Sequence, residues 1–241
     1  MSDGGESVKA VREKFMLPSV VAAAHELKTP LVLLRQLSLQ LTETAVRDER
    51  SRIIHERMRL TAERSLRLVE GITKAVNLEQ SMLESEPIEL RSLLRAVTNE
   101  LSPLAQQMGH EFDIRTPSRS VCLVGHREFL TALMLSLCDN ALTYSQPGQP
   151  IKISGSIRQN TVRLAVRDFG PTMSRSRFAR LTGQLGQPQT PSGHARSSGL
   201  GLWIADSFAR TMHSELSVER HRTGGLTFSV ALPRSQQLSL L

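Results

Sequence analysis

The chain has 241 residues, 39% of them hydrophobic and only 4% aromatic, which suits one large domain or two modest ones with an aliphatic core. The formal net charge is +7, but the basic residues are scattered and alternate with acids, as in RDERSRIIHERMRLTAER, so an acidic protein partner is expected and nucleic acid is not. Two cysteines, Cys122 and Cys138, exclude a disulfide framework; no stretch approaches the roughly 18 apolar residues of a membrane span, and the polar start is no signal peptide, so a reducing cytoplasm is the expected location.

Residues 1–7 read as a flexible tail. Residues 8–45 predict a helix, with Leu17, Val20, Ala24, Leu27, Leu31, Leu34 and Leu41 at alternating steps of three and four and Ser38 in one slot. That spacing is a heptad seam. After a charged pause at 46–48, a second helix runs to about residue 83, with Ile54, Met58, Ala62, Leu66, Val69, Ile72 and Val76 on one face. Two long helices with a short joint make an antiparallel hairpin. One hairpin leaves its seams uncovered, and a dimer forming a four-helix bundle covers them.

The character changes at Glu86 and Pro87, which divides a helical domain (8–85) from a second domain (86–241). Residues 90–107 predict a helix, 111–115 and 121–124 short strands, and 127–145 a strong helix ended by Gln146, Pro147 and Gly148. Residues 150–157 and 161–168 alternate with period two and form a hairpin. A loop spans 171–198. A glycine-opened helix follows, then a last hairpin, 215–221 and 226–233, around Gly224 and Gly225. The fold class is therefore α+β: a helical hairpin, then an antiparallel or mixed sheet covered by helices on one face.

Four stretches carry chemistry. His25 is followed by Glu26, which can accept a proton from one ring nitrogen and leave the other free to attack an electrophile. Pro30 lacks an N–H and bends the helix there, and Thr29 lies on the same face as Glu26. Asn140, after Asp139 late in the 127–145 helix, can offer an uncharged oxygen to Mg²⁺. Asp168, at a strand end, can accept a hydrogen bond from an exocyclic amine, and Gly170 would let a planar base approach the backbone. Gly199, Leu200 and Gly201 open a helix whose bare N–H groups suit phosphate.

The order of these stretches, HELKTPL, SLCDNALTYS, VRDFGPT and SSGLGLWIA, resembles the sensor histidine kinases of two-component signalling. EPIELRSLLRAV, GHREFL and GGLTFSVALP fit as well, so the resemblance covers nearly the whole chain after residue 8. It implies a dimeric helical hairpin and an ATP-binding α/β sandwich of the kind shared with Hsp90-like ATPases. It implies an ATP-dependent kinase with His25 as phosphoacceptor and Glu26 as base. ATP and Mg²⁺ would be held by Asn140, Tyr144, Asp168, Gly170, Gly199, Leu200 and Gly201, with Asn140 on the metal. The phosphoryl group would pass to an aspartate of a response-regulator receiver domain. Glu26 and Thr29 also match the pattern linked to dephosphorylating that partner.

Four positions depart from the family pattern: Ser136 for an Asn, Thr143 for a Lys or Arg that contacts phosphate, Thr172 for a Gly, and Ser197 for a Gly. Ser136 can still ligate or hydrogen-bond weakly. These departures motivate a second reading, a degenerate kinase acting as a dimeric binding or phosphotransfer module. No sensor segment precedes the hairpin, so the expectation is a soluble kinase controlled by a separate sensor or membrane partner, or a shortened chain; the initial Met-Ser-Asp favours a natural start.

Overall fold

The computed structural model describes residues 49–76, 84–183, 185 and 200–235, together with 27, 28, 31, 32, 34–36 and 39. The chain divides into two compact units, Met1–Ser81 and Met82–Leu241. His25, Glu26, Thr29, Gly199 and residues 77–83 lie outside the described residues.

In the first unit, helix α1 runs over Glu49–Val76. Its polar face is laced by Arg59, whose guanidinium reaches Glu56 at 3.0 Å and Glu63 at 2.7 Å. Such pairs one turn apart each stabilise a helix by about 0.2–0.5 kcal/mol. Leu60, Ala62, Leu66 and Val69 are buried, whereas the seam positions Ile54 and Met58 are exposed. The described residues between 27 and 39 are helical. Lys28 Nζ lies 3.1 Å from the Glu70 carboxylate. These two residues, 42 apart in sequence, tie the described residues between 27 and 39 to α1. Leu27 and Leu34, on the same predicted seam, are exposed.

The second unit is a mixed sheet backed by helices. Strands β2 (Phe112–Arg115), β4 (Ile151–Arg158), β5 (Thr161–Arg167), β7 (Leu226–Pro233) and β6 (Ser217–Arg220) lie in the order β2-β4-β5-β7-β6. The β2–β4 pair is parallel and the others antiparallel. A parallel pair needs a crossover, and here it contains strand β3 (Cys122–Gly125) and helix α3 (Arg127–Tyr144). Alternate side chains face opposite sides of a strand. One side carries Ile151, Ile153, Val162, Leu164, Val166, Phe228, Val230 and Leu232, all buried. Helices α2 (Leu90–Gln107), α3 and α5 (Leu200–Thr211) supply the other half of that core through Leu94, Val97, Leu133, Met134, Ile204 and Phe208. The other side carries Lys152, Ser154, Arg163, Arg167 and Glu219.

Two elements depart from the sequence reading. A strand, β1 (Glu86–Glu89), pairs antiparallel with β3, where only a change of character was read. Four residues with a proline among them carry too little pattern to be legible. Helix α4 (Arg175–Gly183) lies inside the predicted 171–198 loop. It buries no residue, so its sequence has no apolar period to reveal it. Both cysteines are free thiols, and burial pushes the Cys138 thiol up in pKa.

Gly155 marks a tight point in this core. It shares the covered face with Ile153, and a Cβ there would sit 2.6 Å from a terminal methyl of Leu90, itself fully buried. Gly155→Ala is expected to lower stability by about 1–3 kcal/mol, the usual range for overpacking. Adding Leu90→Ala to that variant should recover part of the loss in chemical denaturation. If Gly155→Ala unfolds like wild type, Leu90 has room that this geometry denies it.

Candidate functional site

Helix α3 sorts its residues by face. Leu133, Met134, Leu137, Cys138 and Ala141 are buried. Ser136, Asn140 and Thr143, at steps of four and three, share another face. The packing that carries α3 also fixes α5: Phe129 stacks on Phe208 with ring centroids 5.0 Å apart, and Ile204, Ala205 and Ala209 are buried beside it. The first turn of α5 is thereby brought to the middle of α3. Ser136 Oγ donates to the Gly201 carbonyl at 2.7 Å. A Cβ on Gly201 would meet that hydroxyl at 3.2 Å.

Asp168 follows β5 and turns into the covered side, where it is only 4% exposed. Its Oδ1 accepts the Gly170 N–H at 2.9 Å and its Oδ2 accepts the Leu226 N–H at 3.1 Å. Its own N–H donates to the Leu226 carbonyl at 3.0 Å. Burial raises the carboxyl pKa above the ordinary aspartate value, while the Gly170 and Leu226 N–H groups pull it back. Phe169 points the other way, under Lys152 and Arg167, whose cationic ends lie 5.1 and 4.6 Å from the ring centre. Cation–π contacts of this kind are worth about 0.5–1 kcal/mol at partly exposed sites.

The turn formed by residues 168–170 is clamped from two sides. On one side is the end of α3: the Phe169 N–H donates to Ser145 Oγ at 3.0 Å, and a Cβ on Gly170 would lie 2.8 Å from the Tyr144 carbonyl. On the other side are Gly224 and Gly225, both at positive φ. A Cβ on Gly224 would lie 2.7 Å from the Gly170 carbonyl, and one on Gly225 would lie 2.1 Å from the Asp168 carbonyl. Gly170 is thus required by backbone packed on backbone.

The structure therefore sets Asp168 and Gly170 beside the end of α3, where Asn140 and Tyr144 lie, and sets Gly201 at the middle of α3, on Ser136. Asn140 is half-buried one turn beyond Ser136, and Tyr144 is exposed on the last turn. Asp139 and Asp168 lie near the end of α3, whose last turn has no basic residue, and Lys152 and Arg167 lie over Phe169 on the other side of the turn. Thr143 Oγ1 donates to the carbonyl of Asp139 at 2.9 Å, within its own helix. Among the described residues no group of three or more His, Cys, Asp or Glu side chains could hold a metal ion.

Residues 125–236 match the family described as histidine kinase-, DNA gyrase B-, and HSP90-like ATPase. The sensor protein SphS of Synechococcus elongatus is 30% identical over 227 residues, covering 90% of this chain and 54% of that protein. The sensor protein CutS of Streptomyces coelicolor is 27% identical over 214 residues, covering 88% and 51%. Residues 125–236 carry that ATPase domain, and the chain is similar along nearly its whole length to sensor histidine kinases. It spans about half the length of these curated relatives.

Solved histidine kinases share its fold. Full-length ShkA, in complex with AMPPNP, matches with a TM-score of 0.66 at 22% identity, covering 93% of this chain and 47% of that one. The histidine kinase AdeS of Acinetobacter baumannii matches with a TM-score of 0.58 at 21% identity, covering 87% and 97%. Within this chain, the ATPase match begins just before α3 and ends just after β7. It contains every residue of the clamp around Asp168.

Three members of that clamp were not singled out from the sequence: Ser145, Gly225 and Leu226. The double glycine was legible only as a hairpin turn. Its partner, Asp168, lies far away in the chain, and local pattern does not report such a pairing. Among the described residues no helix is long and apolar enough to cross a membrane.

Proposed function

We propose that this chain is an ATP-dependent protein-histidine kinase that phosphorylates itself on His25 and passes the phosphoryl group to an aspartate of a response-regulator receiver domain. The observation that carries this is the meeting of three distant stretches in the second unit. Ser136 joins α3 to the glycine-opened α5, and Tyr144 lies against the turn that holds Asp168.

Each residue has a task that its surroundings support. Each carboxylate oxygen of Asp168 accepts one backbone N–H and keeps a lone pair for the amine of adenine. Asn140 offers a neutral oxygen to Mg²⁺, which suits an ion that keeps waters and shares phosphate oxygens. When bound, that ion supplies positive charge beside a helix end whose last turn has no basic residue. Gly199, Leu200 and Gly201 present helix N–H groups to phosphate, and Tyr144 flanks the nucleotide. In the first unit, Glu26 takes the proton from one ring nitrogen of His25. The other nitrogen forms a bond to the γ-phosphorus as the bond to the ADP oxygen breaks. Thr29 would position water when the same face dephosphorylates the partner.

The unit that acts is a homodimer. Leu27, Leu34, Ile54 and Met58, all on the predicted seams, are exposed in the single chain, and a second copy would cover them. Light scattering should give twice the chain mass, and a monomer at micromolar concentration would remove the dimer from this reading.

The decisive experiment incubates the chain with labelled ATP and Mg²⁺. Acid-labile label is expected on wild type and none on His25→Ala. A folded wild-type chain that takes up no label but binds a receiver domain would support instead the module without kinase activity, a reading favoured by the self-bonded Thr143 hydroxyl.

A further inference from the structure

Hydroxyls on the helices of this protein have a common habit. Thr61, Ser65, Thr73, Thr98, Thr143, Ser207 and Thr211 each donate to a carbonyl four residues back in their own helix. That is the ordinary resting place for such a group. Ser136 breaks the habit. Its Oγ crosses to another helix, 65 residues on, and donates to the Gly201 carbonyl at 2.7 Å.

The partner is fitted to it. Gly201 has no Cβ, and an added one would close on Ser136 Oγ at 3.2 Å. A carbonyl has two lone pairs, so Gly201 can take this bond as well as its helical one. The place matters too. Burial in α5 begins at Ile204, and residues 201–203 before it are only half-buried. The core therefore anchors α5 from its second turn onward, and the Ser136 bond anchors the first turn.

We propose that Ser136 is a positioning residue that presets the first turn of α5, so that its N–H groups are already aimed when the phosphates of a nucleotide arrive. This rests on the reading of the site as one for Mg-ATP. Ser136 acts through Gly201 and touches neither metal nor base. Without the bond, part of the binding free energy goes into ordering that turn. The loss falls on ligands that carry phosphates and spares a nucleoside, whose base is held at Asp168.

The full chain allows a direct test, because its single tryptophan, Trp203, lies in this first turn and its emission reports on it. AMPPNP with Mg²⁺, and adenosine alone, are titrated into wild type, Ser136→Ala and Ser136→Thr. Ser136→Ala should weaken AMPPNP about fivefold, the scale of one net hydrogen bond, and leave adenosine unchanged. Ser136→Thr should restore AMPPNP binding. Amide exchange at residues 201–203 without nucleotide should quicken in Ser136→Ala alone. Equal AMPPNP affinity in wild type and Ser136→Ala overturns the assignment, as does an equal loss for both ligands. Failure of the wild type to bind AMPPNP at millimolar concentration overturns the ATP reading itself, and this role with it.

Discussion

Gly225→Ala is expected to cost the second unit about 3–5 kcal/mol of stability, at the far end of what single substitutions do. Two effects add. Gly225 sits at φ +77, where a residue with a Cβ is disfavoured by roughly 1–2 kcal/mol. The new Cβ would also lie 2.1 Å from the Asp168 carbonyl oxygen and 2.9 Å from its carbon. Neither side can step back. Asp168 and Leu226 exchange backbone and side-chain bonds at 3.0 and 3.1 Å, and Oδ1 holds Gly170. Opening that pair leaves buried polar groups unmet, at roughly 1–3 kcal/mol each. Gly109→Ala isolates the first effect, since Gly109 has φ +74 and nothing within 4 Å of an added Cβ. Chemical denaturation followed by Trp203 emission should rank wild type, then Gly109→Ala, then Gly225→Ala. Equal losses at the two glycines would show that the Asp168 turn yields easily. The Gly225 variant should also lose nucleotide affinity, because the Asp168 carboxylate, proposed to hold the base, moves with its backbone.

The contrast between these two glycines shows what sequence can and cannot report. Both look like turn glycines, and only contact with a stretch some 57 positions earlier separates them. Where local pattern and tertiary role coincide, reading is accurate. The predicted helix at 90–107 matches α2, and the predicted strand at 226–233 matches β7, because each carries an unbroken apolar period that the core uses. Where an element buries little, as in α4, or is four residues long with a proline, as in β1, there is no period to read.

The site divides in the same way. Asn140, Asp168 and Gly201 could be found from the order of their motifs, yet the reasons for their neighbours lay in contacts. Ser136 is expected from the sequence to ligate or hydrogen-bond weakly, and its hydroxyl donates to the Gly201 carbonyl. Gly170 also packs against the Tyr144 carbonyl, a contact that no local pattern reports. His25, Glu26, Thr29 and Gly199 stand on the motifs alone, and the labelling experiment bears on them directly.

Thr143→Lys is expected to tighten Mg-ATP binding about tenfold, a gain of roughly 1.4 kcal/mol. Among the described residues, the face of α3 that carries Ser136, Asn140 and Thr143 has no basic side chain. Asp139 and Asp168 are both acids, and the Thr143 hydroxyl is turned back to the Asp139 carbonyl at 2.9 Å. The helix end makes matters worse, since the C-terminus of α3 carries partial negative charge and its last turn has no basic residue. A lysine at 143 sits on the face shared by Ser136 and Asn140, where a charge-assisted bond to phosphate is worth about 1.5–3 kcal/mol before the side chain is ordered. It also complements the helix end by roughly 0.3–1 kcal/mol, so the variant should be slightly more stable as well. Thr143→Met separates the two gains: it improves helix propensity without adding charge. The lysine advantage should shrink as salt rises, because partly exposed charges are screened. If the lysine and methionine variants bind ATP equally at low salt, position 143 does not face the phosphates. The lack of a basic side chain at position 143 would then not be what limits nucleotide binding.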